Sequence, residues 1–331
     1  MGLFLWAREV SLHRHVFVEP SGVGADLVFK VEERLASVRS QFQHIEVWRS
    51  KFFGKILAID GDLMLTEHDE SSYHEMIAYT PLVYRPKAVA VLVVGGGDGG
   101  TVGQVLRHEN VRNVTVVEID EAVPRVCHKH FSWLAASLNN SRVTLHLRDG
   151  AVWAAEEAIH HPGQFDVAIV DSTDFGAAAP LSRASFQRNL HRLLKLGGLL
   201  VINLTSLSWN LELVRTTVRR QRRVFKYVRV FQIFQPTYTS GHYCFMLCSD
   251  TTDPATMPPP WAAFERRGLA MKYFSPSVHK AAFALPEFAR RMVDEEGKKD
   301  EGEQTKEKTS NTQRALQGSE QAARAIPNDE L

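Results

Sequence analysis

The sequence predicts an α/β protein in which a small antiparallel β domain precedes a larger domain built on a mostly parallel, doubly wound sheet. Two observations predict this fold. After residue 88, short apolar segments alternate with amphipathic segments of helical period, which is typical of successive strand–helix units. Before residue 81, short stretches of alternating polarity are separated by glycine-containing turns, which indicates hairpins of antiparallel strands.

The first predicted domain covers residues 1–80 and is rich in β structure. Its expected strands lie at 27–32, 45–48 and 55–59. Turns are expected at Gly54 and Gly61, because glycine adopts the backbone angles that tight turns require. A helix is expected to begin near Tyr73 and to lead to Pro81.

The second predicted domain covers residues 81–292 and carries the doubly wound sheet. Its strands are expected at 90–94, 114–118, 143–147, 166–170 and 198–203. The helices between and after them are expected at 101–108, 121–130, 151–159, 183–195 and 208–222. Two further strands, at 226–234 and 242–248, are joined by a short loop and predict an antiparallel hairpin at the sheet edge. The expected architecture is therefore Rossmann-like, with a sheet of the methyltransferase type.

Residues 293–331 are predicted to form a disordered, charged tail. The segment has ten acidic and six basic side chains and no aromatic residue. It cannot bury enough apolar surface to offset the entropy of ordering it. No helix or strand is therefore expected there.

The composition is that of an ordinary globular protein and argues against several classes. The 331 residues are 44% hydrophobic and 23% charged, with a net charge of +1. Such a chain has no global field for nucleic acid or an anionic membrane, and no apolar run approaches the length of a membrane span. The three cysteines lack the spacing of a metal site and fit a reducing compartment, so we expect a cytoplasmic protein without a metal.

The most informative segment is an apolar strand that runs into a glycine-rich turn. Residues 91–94 are apolar β-formers, and residues 95–100 read GGGDGG before a helical pattern begins. Gly95 and Gly97 would let the backbone approach a ligand closely. Glu118 follows at the end of the next predicted strand, at the spacing of an acid that binds a ribose diol. The segment therefore predicts a nucleoside-binding site.

The aspartate inside this turn changes the ligand that the site favours. The N–H groups of such a turn normally bind a pyrophosphate, which the Asp98 carboxylate would repel. A sulfonium nucleoside with an amino-bearing chain therefore fits better than NAD. The alternative is that Asp98 only caps the helix that follows it.

Carboxylates stand at successive strand ends and are expected to meet at one edge of the sheet. They are Asp98, Glu118, Asp149, Asp171 and Asp174, and Asn203 follows the next strand. These acids would repel one another unless a polycation or a metal lay among them. No histidine accompanies them at ligand spacing, so a cationic organic substrate is favoured over a metal site.

Several long motifs occur in a fixed order along the chain. They are LTEHDESSYHEM at 65–76, GGGDGG at 95–100, VEID at 117–120, RDG at 148–150, VDSTD at 170–174, PTYTSG at 236–241 and HKAAFALPEFAR at 279–290. From residue 6 to about residue 291 the chain closely resembles the spermidine synthases, a family of polyamine aminopropyltransferases.

This resemblance implies transfer of an aminopropyl group from decarboxylated S-adenosylmethionine to putrescine, which gives spermidine and methylthioadenosine. The nucleoside is then a co-substrate, and no separate cofactor is expected. The implied partners are this sulfonium nucleoside, a small amine and further copies of the chain in a homodimer or homotetramer.

The resemblance also assigns residues to the nucleoside. Those implied are Gln43, Gly95, Gly97, Asp98, Glu118, Ile119, Asp149, Gly150 and Leu181. Among them, Glu118 would bind both ribose hydroxyls and Asp149 the adenine amino group. Asp98 would hold the ammonium of the aminopropyl chain and reject S-adenosylmethionine, whose extra carboxylate it would repel.

On the acceptor side, Asp171 is expected to take a proton from the amine, with Tyr73 alongside. The residues implied to bind the acceptor are Trp6, His74, Asp174 and Tyr238. Asp174 is placed in the catalytic group as well, because it would orient the diamine together with Tyr238.

The chain departs from the family pattern mainly on the acceptor side. Asn203 stands where the family has glutamine, Thr205 where it often has glutamate, and the loop at 175–181 lacks a family proline. Three interpretations therefore stay open: a spermidine synthase with a divergent gate, an aminopropyltransferase with another acceptor, as in spermine synthase activity, or a catalytically weak regulatory paralogue.

Overall fold

The computed structural model of the protein describes residues 16–20, 23–173 and 176–293. Two of the expected site residues, Trp6 and Asp174, lie outside this range. The expected charged tail also lies outside it, apart from its first residue, Val293.

The N-terminal part consists of a hairpin and a four-stranded antiparallel sheet. The hairpin pairs β1 (Val16–Pro20) with β2 (Asp26–Lys30). The sheet has the order β3 (Glu33–Arg39), β4 (His44–Ser50), β5 (Gly54–Ile59) and β6 (Asp62–Thr66). Between β5 and β6, Asp60 and Gly61 both have positive φ (53° and 94°), as the tightest hairpin turns require.

Two strands of the four-stranded sheet, β3 and β6, were not predicted, and neither was β1 of the hairpin. The expected strand at 27–32 ends at Lys30, and the chain then enters β3, whose residues are mostly exposed or half-buried and give a weak apolar alternation. The second, β6, is short and follows the two-residue turn directly. Both strands are held by pairing with β4 and β5 rather than by a strong pattern of their own.

The larger sheet has seven strands in the order β12-β13-β11-β10-β7-β8-β9. They are β7 (Ala90–Gly95), β8 (Asn113–Glu118), β9 (Val143–Leu147), β10 (Phe165–Asp171), β11 (Leu194–Asn203), β12 (Tyr227–Phe234) and β13 (His242–Ser249). The strands from β7 to β11 are parallel, and β13 is antiparallel to both β11 and β12. The Rossmann-like, methyltransferase-type sheet with an antiparallel edge hairpin is thus confirmed.

Helices cover both faces of this sheet. The α-helices are α1 (Glu70–Leu82), α2 (Gly100–Leu106), α3 (Ala122–His130), α4 (Ser132–Ala135), α5 (Gly150–His160), α6 (Ala184–Leu193), α7 (Leu211–Arg222), α8 (Trp261–Glu265) and α9 (Pro276–Ala282). Two 3₁₀ segments span Ala136–Asn139 and Gly176–Ser182. One core joins the sheet to α1, α2, α8 and α9, and the other joins it to α5, α6 and α7.

Several helix ends differ from the prediction. The first helix, α1, begins at Glu70 and continues past Pro81, because burial of every residue except Ser71 outweighs the backbone hydrogen bond that proline cannot make. The helix expected at 183–195 ends at Leu193, and β11 starts in the next residue. These shifts do not move any of the strand ends that face the site.

The N-terminal sheet packs on α3 and α4 of the larger part. Ile45, Val47 and Leu57 bury their side chains against a group that includes Val126 and Phe131. A polar contact joins the same two parts, since Ser40 Oγ donates to Asp120 Oδ2 at 2.6 Å. Within the described ranges, no helix is long and apolar enough to cross a membrane.

Candidate active site

A cavity of about 420 Å³ lies at the carboxyl ends of the parallel strands and is bounded on its other side by residues of the N-terminal sheet, among them Leu57 and Met64. This is where doubly wound sheets bind ligands, and the volume suits a small molecule. The expected site residues in the described range all line it: Gln43, Tyr73, His74, Gly95, Gly97, Asp98, Glu118, Ile119, Asp149, Gly150, Asp171, Leu181 and Tyr238.

The glycines after β7 are required by close approaches of the backbone. Gly95 and Gly96 have positive φ (85° and 68°), and a Cβ at Gly95 would collide with the backbone carbonyl of Asp171. The Gly96 N–H donates to that same carbonyl oxygen at 2.7 Å. At Gly97, a Cβ would lie 2.7 Å from Glu118 Oε2. The turn therefore fits tightly between the ends of β8 and β10.

Glu118 is a buried carboxyl at the end of β8, with 7% of its surface exposed. The Asp120 N–H donates to its Oε1 at 2.9 Å. Burial raises the pKa of Glu118 to about 7, although this hydrogen bond acts in the opposite direction. The carboxyl can therefore change its protonation state near neutral pH.

Asp98 is part of a buried chain of charges. Its Oδ1 accepts from the Gly100 N–H at 2.6 Å and lies 3.5 Å from His74 Nε2, while His74 Nδ1 lies 2.7 Å from Glu70 Oε2. Burial alone would lower the pKa of His74, but Asp98 and Glu70 together raise it well above its ordinary value. Burial opposes ionisation of Asp98 as well, yet His74 and the Gly100 N–H hold its pKa low. Gly99 is the N-cap of α2, and Asp98 accepts only the N–H of the first helical residue, Gly100. Its carboxylate also lines the cavity, where its low pKa keeps it an anion.

Asp149 has a structural contact at the start of α5. Its Oδ1 accepts from the N–H groups of Ala151 (2.7 Å) and Val152 (3.2 Å), which caps the helix. The residue also lines the cavity, next to Gly150. The cap fixes the direction of the carboxylate before any ligand binds.

Asp171, at the end of β10, receives one hydroxyl on each carboxylate oxygen. Tyr73 donates to Oδ1 at 2.8 Å and Thr101 donates to Oδ2 at 2.6 Å. Burial and then the charge of Asp98 raise the pKa of Asp171 above its ordinary value. Burial and the same Asp171 raise the pKa of Tyr73 well above 10, so that the phenol stays protonated and donates.

The side chains around the expected acceptor position are already engaged with the protein. Tyr238 donates its hydroxyl to the backbone carbonyl of Met64 at 2.8 Å. The Asn203 amide nitrogen donates to the carbonyl of Ser172 at 2.6 Å and lies 3.2 Å from the Tyr243 hydroxyl. Asn203 thus holds the backbone that follows Asp171, whereas a longer glutamine would reach further from β11.

The gate, defined here as the 3₁₀ segment Gly176–Ser182, borders the cavity through Ala178, Pro180 and Leu181. Two helices behind it hold its end. Gln187 of α6 donates from Nε2 to the Leu181 carbonyl at 2.9 Å, and Arg220 of α7 donates to the Ser182 carbonyl.

Sequence reasoning missed two residues that organise this site. Thr101 donates to Asp171 and Glu70 pairs with His74, and neither of the two lines the cavity. For Glu70 a signal existed, because it precedes His74 by four residues on one helix. For Thr101 no local signal existed, since its partner lies 70 positions away in the sequence.

The described ranges contain no group of three or more His, Cys, Asp or Glu side chains placed to hold a metal ion. The three cysteines, Cys127, Cys244 and Cys248, are all buried and unpaired.

A methyltransferase-type sheet with a carboxylate-lined, nucleoside-sized cavity at its strand ends defines a Rossmann-like transferase. Known proteins agree: the family model for the spermine/spermidine synthase domain matches residues 70–257, and that for the spermidine synthase tetramerisation domain matches residues 16–67. The chain belongs to the spermine/spermidine synthase family, and it is an enzyme of the aminopropyltransferase type.

Individual relatives are similar over nearly their whole length. The polyamine aminopropyltransferase of Leptospira biflexa is 36% identical over 276 residues, which is 83% of this chain and 95% of the relative. That of Clostridium perfringens is 37% identical over 272 residues, or 80% and 93%.

Solved structures show the same likeness. The spermidine synthase from Thermotoga maritima superposes with a TM-score of 0.79 at 29% identity, covering 85% of this chain and 95% of that one. A spermidine synthase in complex with the transition-state analogue AdoDATO gives a TM-score of 0.80 at 29% identity, with the same coverage.

Proposed function

We propose that the protein is a spermidine synthase, which transfers the aminopropyl group of decarboxylated S-adenosylmethionine to putrescine. One observation carries this proposal: a protonated phenol holds a partly buried carboxylate with a raised pKa, Asp171, in the same cavity as a second carboxylate that stays ionised, Asp98. The pair offers one group that takes up a proton and one that binds a cation.

The nucleoside half of the cavity suits an adenosine with a cationic chain. Glu118 would accept hydrogen bonds from both ribose hydroxyls, and Asp149 would accept one from the adenine amino group. Gln43, Ile119, Gly150 and Leu181 would enclose the nucleoside, and the glycine turn would give it room. Asp98 would bind the terminal ammonium, because its partly buried carboxylate stays ionised beside His74.

The chemical step would be an in-line displacement. The amine nitrogen forms a bond to the aminopropyl carbon next to the sulfonium, and the carbon–sulfur bond breaks. Sulfur takes the bonding electron pair and leaves as the neutral thioether of methylthioadenosine. Most of the acceleration would come from positioning the two substrates, since the sulfonium is already a good leaving group.

Asp171 would remove the proton that otherwise blocks the attacking amine. Its raised pKa improves it as a base, and Asp98 raises that pKa while itself remaining ionised. Tyr73 would orient the Asp171 carboxylate through its hydrogen bond. Asp174 and Trp6 are assigned to the acceptor amine by the resemblance alone.

A second candidate is an aminopropyltransferase that prefers an acceptor longer than putrescine. The observation that favours it is Asn203, whose amide is used on the Ser172 backbone and is shorter than the family's glutamine. The space left on the acceptor side would then admit a triamine such as spermidine. Tyr238 does not distinguish the two candidates, because its hydroxyl donates to the Met64 carbonyl whichever acceptor binds.

We also propose that copies of the chain associate, as a homodimer or homotetramer, through the N-terminal sheet. The support is the match of residues 16–67 to a tetramerisation domain. We place the enzyme in the cytoplasm, where its three buried thiols would stay reduced.

The test is an assay of the purified protein with decarboxylated S-adenosylmethionine and, separately, putrescine, cadaverine, spermidine or no amine. Release of methylthioadenosine is followed. We expect release that depends on putrescine and falls by at least about a hundredfold in Asp171→Asn, because removing a general base typically costs that much.

Asp250→Asn is the matched control, because Asp250 is an exposed carboxylate paired with His191 away from the cavity. It should keep the wild-type rate. Preference for spermidine would favour the second candidate. Nucleoside binding without transfer to any amine would overturn both and leave the regulatory paralogue.

A further inference from the structure

Thr101 is a buried hydroxyl whose partner belongs to the reaction centre. It is the second residue of α2, directly after the glycine turn, and none of its surface is exposed. Its Oγ1 donates to Asp171 Oδ2 at 2.6 Å, a short distance typical of a hydroxyl bound to an ionised carboxylate. Thr101 is not among the residues that line the cavity, so it can act on a substrate only through Asp171.

The two hydroxyl donors constrain Asp171 from opposite sides. Tyr73 on α1 binds Oδ1 and Thr101 on α2 binds Oδ2, so the plane of the carboxylate is fixed at both ends. Each oxygen keeps a second lone pair. The Gly96 N–H meanwhile holds the backbone carbonyl of the same residue at 2.7 Å. The carboxylate is therefore oriented before an amine arrives.

We propose that Thr101 is a positioning residue for the proton transfer: it fixes the orientation of the Asp171 carboxylate and stabilises its ionised form. The proposal rests on the proposed function, in which Asp171 accepts the proton of the attacking amine. Tyr73 cannot do this alone, because it binds only Oδ1 and leaves the carboxylate free to rotate about its terminal bond.

The charges around Asp171 give the direction of the effect. The groups that face it are Asp98 on the glycine turn and His74 and Tyr73 on α1. Burial and Asp98 raise its pKa, and the charge of His74 and then the hydrogen bonds from Thr101 and Tyr73 lower it. Loss of the Thr101 hydroxyl would therefore raise the pKa further and make the carboxyl retain its proton to higher pH.

The test compares Thr101→Val, which replaces the hydroxyl by a methyl group of similar size, with Thr101→Ser, which keeps the hydroxyl. In Thr101→Val we expect kcat at pH 7 to fall about ten- to a hundredfold, as for loss of a hydrogen bond to a charged group. The KM for the nucleoside should stay within about twofold, and the acid limb of the kcat profile should move to higher pH. Thr101→Ser should restore both the rate and the profile.

A second measurement does not depend on turnover. In protein labelled with ¹³C at the aspartate carboxyl carbon, the resonance that disappears in Asp171→Asn reports the pKa of Asp171. This pKa should rise in Thr101→Val and return in Thr101→Ser. If Thr101→Val does not unfold cooperatively on heating, and so is not properly folded, Thr101→Ala takes its place. The alanine variant also lacks the hydroxyl but does not put a methyl group in its position.

The outcomes separate the two proposals. If Thr101→Val keeps the wild-type kcat, pH profile and Asp171 pKa, the role of Thr101 is overturned whatever the reaction is. If the wild type transfers no aminopropyl group to any amine, the proposed function fails. The carboxyl resonance then still decides whether Thr101 stabilises the ionised Asp171.

Discussion

Asp98 lies in the glycine turn, and Asp171 binds that turn through its backbone carbonyl. The two aspartate side chains differ only in their surroundings. Asp98 lies 3.5 Å from an imidazole that Asp98 itself and Glu70 together keep protonated, and the pKa of Asp98 is low. Asp171 has two neutral hydroxyls and a nearby negative charge, and its pKa is raised. Identical side chains thus acquire opposite tendencies, one to stay charged and the other to accept a proton.

Glu118 supplies a prediction on pH dependence. It must be ionised to accept hydrogen bonds from two ribose hydroxyls, and its pKa in the free protein is about 7. Because methylthioadenosine has no charge, its binding isolates this titration. We expect its dissociation constant, measured by calorimetry, to rise about tenfold from pH 8 to pH 6.

Glu118→Gln is the control for this titration. It should bind methylthioadenosine more weakly at pH 8 and show little further change down to pH 6. A wild type whose affinity is flat over that range would contradict the assignment of Glu118 to the ribose.

At the scale of elements, α1 and the gate hold the site from two directions. The helix α1 carries Glu70, Tyr73 and His74 within about one turn, so that a single buried element contacts both aspartates. The gate instead depends on α6 and α7, which bind its last two carbonyls through Gln187 and Arg220. Each of these two hydrogen bonds comes from one side chain, so it can be removed without changing the sheet.

Gln187 is the anchor to test. Gln187→Met keeps the volume of the buried side chain and removes its hydrogen bond to the Leu181 carbonyl. A neutral hydrogen bond is worth about 0.5–1.5 kcal/mol, so the KM for the nucleoside should rise about two- to tenfold with kcat less affected. Arg188→Met changes an exposed neighbour on the same helix and should leave both constants unaltered. Equal effects in the two variants would argue against an anchoring role.

At the scale of the whole molecule, local patterns predicted the sheet and most of the cavity. The glycine turn, each acid at a strand end and the edge hairpin can each be recognised from a short stretch of sequence. The parallel arrangement of the strands then brings the strand ends, and these acids, together. Contacts between residues far apart in the sequence were not predictable: Thr101 meets Asp171, and Ser40 meets Asp120, only after folding. The weakly patterned β3 was missed because pairing, not polarity, defines it.

The stability of the folded protein at low pH is also a property of the whole molecule. His279 is 2% exposed among aromatic rings, and burial lowers its pKa to about 4. The unfolded chain, with a histidine pKa near 6.5, binds this proton more readily, so folding stability is lost as the pH falls from about 6.5 to 4. Because of His279, the free energy of unfolding should be about 2 kcal/mol lower at pH 5 than at pH 8. In urea unfolding, His279→Phe should lose less stability between those two pH values than the wild type does. An equal loss in both would rule out this source.

The cluster of carboxylates has a consequence for the resting enzyme. Asp98, Asp149 and Asp171 share one cavity with Glu118, and only one imidazolium among the described residues bridges to any of them. The unliganded fold therefore stores electrostatic strain, and stability is given up so that polycations bind. Amines should relieve this strain without any turnover, so the melting temperature should climb with the number of ammonium groups from butylamine to putrescine to spermidine. Equimolar sodium chloride should leave it unchanged. If butylamine stabilises as well as spermidine does, the strain lies elsewhere.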